Sequence, residues 1–516
     1  MALNKVKSRQ NLLLGFSVFI FLAMAIIFEI DSNKAQDLPE KTIECSIKNL
    51  DGEIKIDWKI LIDKKKFDSV EVTLKGEDVS EVKNFPADDG SYSFLGGKHG
   101  KGYDIKVVLK NDNEIIGKAE TRAVFLDYAK LPTLPIISIN TRNGKFPTFK
   151  MANKPPEVLG ETSVENELLD CEMMMFKNGV RIAESRAKIR VRGNSSAKDE
   201  NSPYKLKLNS PLDLLEMGNA YADKEWTLLN TGYTLKTYFV TVLANIFQVE
   251  WQPKIRYVNL VFNGEWRGCY ILSESVKRGR NRVNISKSGY LFEYDPYFWR
   301  PDTKFFKTNL TDKKYGFTFK YPKQKNLTPT DMQNLKNYLQ DLEPHLKSKD
   351  ERYADYIDVE SFVKWVLVHD LVGTVDGAGS NKYFYKYDFD LENPTSTKIK
   401  MGPLWDFDSS FRVLESWSFP HYWCIYMDLL FRIESFKQAY KDEFYSNKDK
   451  ILPALREDLD ELQKTQLAAY QESWDLNYSR WKIKNSGVEE EINFNLKLLE
   501  DRINLIDKKL KNDDWK

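Results

Sequence analysis

The chain has 516 residues, too many for one ordinary domain, so two or three folded units are expected. Lysine and arginine number 77 against 76 aspartate and glutamate, and a formal charge of +1 excludes a general electrostatic field for nucleic acid. With 13% aromatic and 42% hydrophobic residues, the composition excludes a disordered chain and suits a well-packed globular one.

Lys5, Lys7 and Arg9 precede an apolar run from Leu12 to Phe28 that only Gly15 and Ser17 interrupt. At roughly 17 residues the run is short for a bilayer span and long for the core of a signal peptide. The basic flank predicts a cytosolic N-terminus and export of everything after Glu29. No small-x-small cleavage site follows in Asp31–Gln36. Residues 1–30 are therefore read as an uncleaved transmembrane signal anchor in preference to a removed signal peptide, which would leave the protein secreted. Cys45, Cys171, Cys269 and Cys424 form no C-x-x-C, and His99, His345, His369 and His421 lack ligand spacing. Both facts argue against zinc and for ordinary buried thiols.

From Thr42 to about Leu126 the pattern has period two, as in Ile54, Ile56, Trp58, Ile60 and Ile62, with turn signals at Asn49–Gly52, Asp88–Gly90 and Gly96–Gly97. Short alternating strands at this density predict a small all-β sandwich over 40–128, immunoglobulin- or fibronectin-like, acting as a spacer or binding arm. Leu131–Pro135 carries two prolines and reads as a stiff linker. The remaining unit, 129–516, begins with strands at Ala187–Arg192, Tyr204–Leu208, Tyr257–Phe262 and Cys269–Leu272. Helical spacing follows in Met332, Leu335, Leu339 and Leu342, in Phe362, Trp365, Val366 and His369, and from Ile492 to Leu510. Strands followed by helices predict an α+β class compatible with a two-lobed enzyme.

Lys188–Ser196 ends a strand in a small, flexible turn, and Tyr204–Leu208 returns from it. Such a loop can fold over phosphates, with backbone N–H groups, Ser195 at the tip and Arg192 as donors. A lysine of the return strand would reach the same phosphates, but Lys205 and Lys207 share a face and periodicity does not choose between them. The plain alternative is a hairpin with a solvated basic face. Asn263-Gly264 is a hairpin signal joining two further strands, after which Glu274 occupies the position of an adenine-binding connection between lobes, or is a solvated strand-end charge.

Asp376 and Asn381 stand in a glycine-rich stretch after the helix ending at His369. Tyr383–Tyr387 and Lys398–Met401 then read as two paired strands leading to Pro403-Leu404-Trp405-Asp406-Phe407-Asp408. An Asp, an Asn five positions on and a later acidic turn is the arrangement in which protein kinases hold the hydroxyl proton and the metal. Carboxylate and amide oxygens brought together by the ribbon suit a hard cation such as Mg²⁺ on phosphate.

Several of these segments occur together in an order that resembles the CotH spore-coat kinase family. They are Arg192–Ser196 with Tyr204–Leu208, Glu225–Leu229, Asn263–Tyr270, Asn381–Tyr385 and Pro403–Asp408, and the likeness covers roughly residues 131–510. The resemblance implies an atypical two-lobed protein-kinase-like domain that binds ATP and Mg²⁺, with Mn²⁺ as an alternative, and phosphorylates Ser or Thr of an envelope, coat or secreted protein. It gives Asp376 the catalytic role and Asp406 and Asn381 the metal. Asp408 assists the metal or shapes the turn, Lys207 or Lys205 contacts phosphate, and so does Arg192. The stretch Thr231–Tyr238 departs from the family in lacking an Asp and an Arg that members often carry there. A non-catalytic surface adhesion or assembly module on the same scaffold, and a glycan kinase, are the alternative functions.

Overall fold

The computed structural model describes residues 42–63, 66–112, 114–160, 162–374, 381–412, 424–483 and 486–515. The apolar run Leu12–Phe28 lies outside them. Among the described residues no helix is long and apolar enough to cross a membrane.

Residues 43–124 build two antiparallel sheets. Strands β1 (Ile43–Leu50), β2 (Glu53–Ile60) and β5 (Gly90–Phe94) form one, and β3 (Ser69–Lys75), β4 (Ser80–Pro86), β6 (Gly102–Asn111) and β7 (Glu114–Val124) form the other. Their alternating residues meet in one core, with Ile54, Ile56 and Trp58 from one sheet facing Val70, Val72, Ile105 and Val107 from the other. This module is fixed to the rest of the chain by the end of β1. Asn49, only 3% exposed, accepts at Oδ1 from Trp266 N at 2.7 Å and donates its own N–H to Gly264 O at 2.8 Å. The proline-containing connection is packed too, since Leu134 is buried and Pro135 O accepts from Asn259 N.

A closed barrel follows. Strands β8 (Ile136–Thr141), β11 (Leu169–Lys177), β12 (Val180–Val191), β13 (Tyr204–Leu212), β14 (Asp223–Leu229), β15 (Ile255–Phe262) and β16 (Glu265–Glu274) close it in the order β11-β12-β13-β14-β16-β15-β8. A short pair, β9 (Phe149–Met151) and β10 (Val164–Asn166), lies beside it. The interior is filled by alternate residues such as Ile139, Met173, Ile189, Leu206, Trp226, Leu260 and Leu272, so the barrel is a packed core and not a pore.

A second sheet has the order β18-β19-β17-β20-β21, from β17 (Tyr290–Asp295), β18 (Phe305–Phe306), β19 (Gly316–Tyr321), β20 (Lys382–Lys386) and β21 (Ile399–Met401). Alternation divides its two faces. Phe292, Phe317, Phe319 and Phe384 pack into the helical core, while Glu293, Asp295, Lys320 and Tyr383 line a cleft. The longer helices are α1 (Lys236–Ile246), α2 (Pro329–Ser348), α3 (Val359–Val372), α4 (Glu434–Thr465), α5 (Leu467–Trp481) and α6 (Val488–Lys511). Thr328 and Asp331 cap α2 reciprocally, and Asp358 caps α3. Helix α3 is apolar nearly all round because it is enclosed by α4, α6 and β21, and Gly373 ends it in the left-handed conformation at φ 59°. The outcome is a mixed α+β protein.

Candidate active site between barrel and sheet

The antiparallel pairing of β20 with β21 decides which sequence-distant residues meet. Asn381 immediately precedes β20 and Asp406 follows β21 by five positions, so the ribbon returns one to the other. Asn381 Nδ2 donates to Asp406 Oδ2 at 3.3 Å. Both backbones are left-handed, with φ 62° at Asn381 and 66° at Asp406. Non-glycine residues hold that conformation where the surroundings impose it, and such positions concentrate at functional sites. Gln252 Nε2 supports the turn by donating to Leu404 O at 2.9 Å. Asp376 lies outside the described residues.

Facing this pair across the cleft is the loop after β12. Gly193 has φ 81°, and a Cβ there would stand 2.2 Å from Ser196 Oγ, so the turn requires glycine. Arg300 fixes the loop by donating Nη2 to Asn194 Oδ1 at 2.8 Å and Nε to Ser163 Oγ at 2.5 Å. Arg192 lies over the ring of Trp405, 5.4 Å from its centroid, bridging the barrel and the turn that carries Asp406. Ser195, Asn381, Asp406 and Asp408 line the chamber on one side of this bridge.

The chamber on the other side, about 490 Å³, is strongly cationic: Arg190, Arg192, Lys205, Arg300 and Lys320 line it with Glu293 and Asp295. Lys205 Nζ pairs with Glu225 at 2.9 Å, and Lys320 Nζ with Glu293 at 2.6 Å. Burial alone would raise Glu225, yet the Lys205 ammonium, with Lys277 and Lys323, holds it below the usual carboxylate range. Burial raises Glu293 even against its lysine partner. Arg190 is pulled below its ordinary value by burial and by the neighbouring Arg192 and Arg300. Among the described residues these three arginines have no carboxylate within ion-pair distance, and crowded, partly desolvated guanidiniums make a seat for an anion.

Two of the expected site residues do not belong to this cleft. Lys207 shares the outer barrel face with Lys205, as alternation requires, but is exposed and beyond the chamber. Glu274 is buried, paired with Arg282 Nη1, and accepts from Lys254 N at 2.9 Å. Its neighbours Ser273 and Ser275 turn to the cleft and Glu274 turns away, so its charge serves the fold and not an adenine. Sequence reasoning missed Arg190, although Arg190 and Arg192 alternate onto one face. It missed Glu225, Glu293, Lys320 and Arg300, which only the sheet pairings bring together.

Asp406 carboxylate and Asn381 amide are hard oxygen donors beside an anion seat. Among the described residues no group of three or more His, Cys, Asp or Glu side chains is placed to hold a metal. That donor set fits Mg²⁺, which takes one or two protein oxygens and keeps the rest of its shell for water and substrate phosphate. It does not fit zinc, and all four cysteines are free thiols. A family model described as CotH kinase protein matches residues 189–504. No curated protein matches the chain.

Proposed function

The chain belongs to the CotH kinase family of kinase-type phosphotransferases, and from that premise we propose that it transfers the γ-phosphoryl group of ATP to a Ser or Thr hydroxyl of an exported protein. The observation that carries the reading is the Asn381–Asp406 pair standing beside the cationic chamber of Arg190, Arg192, Lys205 and Lys320. In this reading the domain of residues 129–516 is an atypical two-lobed kinase, and the two-sheet module of 40–128 is a rigidly docked arm. The basic flank and apolar run at the N-terminus support a membrane anchor with the catalytic domain outside the cytosol.

The chain's own residues divide the work. Arg190, Arg192, Lys205 and Lys320 receive the polyphosphate, and Glu225 and Glu293 hold the two lysines in place when no nucleotide is bound. Asp406 and Asn381 would hold Mg²⁺, which when bound neutralises charge on the phosphates. The acceptor hydroxyl oxygen forms a bond to the γ-phosphorus as the bond to the β,γ-bridging oxygen breaks. ADP leaves, and the hydroxyl proton passes to the carboxylate given the catalytic role, Asp376. Electrostatic positioning of the phosphates supplies most of the acceleration.

The test is transfer of labelled phosphate from ATP by the full chain with Mg²⁺ or Mn²⁺, with Asp376→Ala and Asp406→Ala beside it. Labelling of the chain or of a generic protein acceptor, lost in both variants, is the expected result. Absence of nucleotide binding in the unmutated protein would overturn the reading in favour of an adhesion module.

A further inference from the structure

We propose that Lys236 and Glu491 form a bracket that holds the Asp406–Asp408 turn in register with Asn381, as positioning residues. The catalytic consequence rests on the phosphotransfer reading, and the bracket itself rests on geometry alone. Helix α1 starts at Lys236 directly behind Thr231, which lines the chamber with Asp408. Its N-cap, Leu235, has no side-chain oxygen, so the first turn needs an acceptor from elsewhere. Helix α6 supplies it: Glu491 Oε1 accepts from Thr234 Oγ1 at 2.6 Å and from Leu235 N at 2.8 Å. Tyr257 Oη donates to Thr234 O at 2.6 Å and closes the same corner.

With its start fixed, α1 touches the Asp406–Phe411 segment twice. Lys236 Nζ donates to Asp408 O at 3.0 Å. One helical turn on, Phe239 meets Phe411 edge-on with centroids 5.4 Å apart, and Phe411 N is bonded to Val372 O at 2.8 Å. Asp406 and Phe411 both have positive φ, 66° and 55°, so the segment between them stays in place only while its neighbours over-determine it. Lys236 is the single basic residue of Thr231–Tyr238. It gives this chain a cationic hold on the turn from a helix whose position is set by the C-terminal helix.

The experiment is hydrogen exchange of the 404–412 segment in the full chain, read together with the Mg²⁺ concentration that half-saturates labelling from ATP. Lys236→Met and Glu491→Ala should each speed exchange of that segment about tenfold, the size expected for one lost hydrogen bond to a charged group. Lys236→Arg, which keeps the donor, should stay near the unmutated rate. The half-saturating Mg²⁺ concentration should rise about tenfold in Lys236→Met, with a smaller change in the KM for ATP than in the metal requirement. Unchanged exchange in both loss variants would overturn the bracket. If Lys236→Met unfolds, Glu491→Ala against Lys236→Arg decides by the same readout. Should the unmutated chain fail to bind ATP, the phosphotransfer reading falls while the exchange result still judges the bracket.

Discussion

Asn381 and Asp406 face each other across 3.3 Å from backbones that are both left-handed, with φ 62° and 66°. Asn and Asp are the side chains that tolerate this conformation best, so exchanges between them test charge without disturbing the turn. Asp406→Asn should leave the thermal midpoint within a few degrees and lower labelling by ~10²-fold or more, the usual loss for a preorganised charge in an active site. Asn381→Ala keeps the carboxylate but removes its hydrogen bond from Asn381, and should raise the Mg²⁺ requirement about tenfold. Titration of labelling against Mg²⁺ in the three proteins reads both effects. Equal metal requirements would separate Asn381 from the metal.

Lys205 and Lys207 are two residues apart on one strand face, yet only Lys205 is paired with Glu225 over the cationic chamber. Lys205→Met should weaken ATP binding by one to two orders of magnitude, about 1.4–3 kcal/mol for a lost charged contact. Lys207→Met should bind ATP as the unmutated chain does, because Lys207 is solvated. Calorimetric titration with ATP and Mg²⁺ distinguishes the pair, and a larger loss from Lys207 would reverse the assignment.

The sequence carried the elements further than the site. A period-two run located Ile54–Trp58, and helical spacing located Pro329–Ser348 and Val488–Lys511, because each buries one face against a core; the same spacing located Val359–Val372, although that helix is enclosed nearly all round. Barrel closure was not legible, since the parallel contact of β8 with β15 joins segments over a hundred positions apart. The same limit hid Glu293 and Lys320, whose pairing depends on β17 lying beside β19. Asn381 and Asp406 were legible because a short ribbon connects them, and local geometry then does what pattern suggests. Glu274 misled because a carboxylate at a strand end looks solvated until Arg282 is seen beside it.

That buried pair makes a separate prediction. Glu274 and Arg282 are both enclosed, and Arg282 also lies over Trp226 with 5.5 Å to the ring centroid. Glu274→Ala removes the nearer of two carboxylates on Arg282, with Asp223 still 3.6 Å from Nη2, and should cost less than the ~3–5 kcal/mol of a buried charge left wholly unpaired. Glu274→Leu combined with Arg282→Met removes both charges and should cost less than either single change. ATP affinity of the folded fraction should be unaltered throughout. Denaturant unfolding measures the first expectation and ATP titration the second, and a selective loss of affinity in Glu274→Ala would return the residue to the nucleotide site.

His369 links stability to pH. Its ring lies 3.8 Å from Trp365 and is stacked on Phe407 at 4.9 Å and 18°, and neither ring nitrogen has a hydrogen-bond partner among the described residues. Burial holds its pKa down to about 3, with Lys382 lowering it further and Asp370 opposing. The folded protein therefore keeps His369 neutral where an unfolded chain, near its ordinary 6.5, takes up a proton. Stability from this group is complete above about 6.5 and is lost as pH falls toward 3, with a slope approaching 1.4 kcal/mol per pH unit. His99, also lowered by burial, adds a contribution of the same sign. His369→Phe keeps an aromatic ring on Phe407 and removes both unsatisfied nitrogens. Thermal midpoints at pH 7.5 and pH 5 should then differ less in the variant than in the unmutated protein, and the variant should be the more stable of the two at pH 5. Identical pH dependence would mean that His369 is protonated in the fold, and a protonated imidazole stacked on Phe407 would have to find a counter-charge close to Asp406.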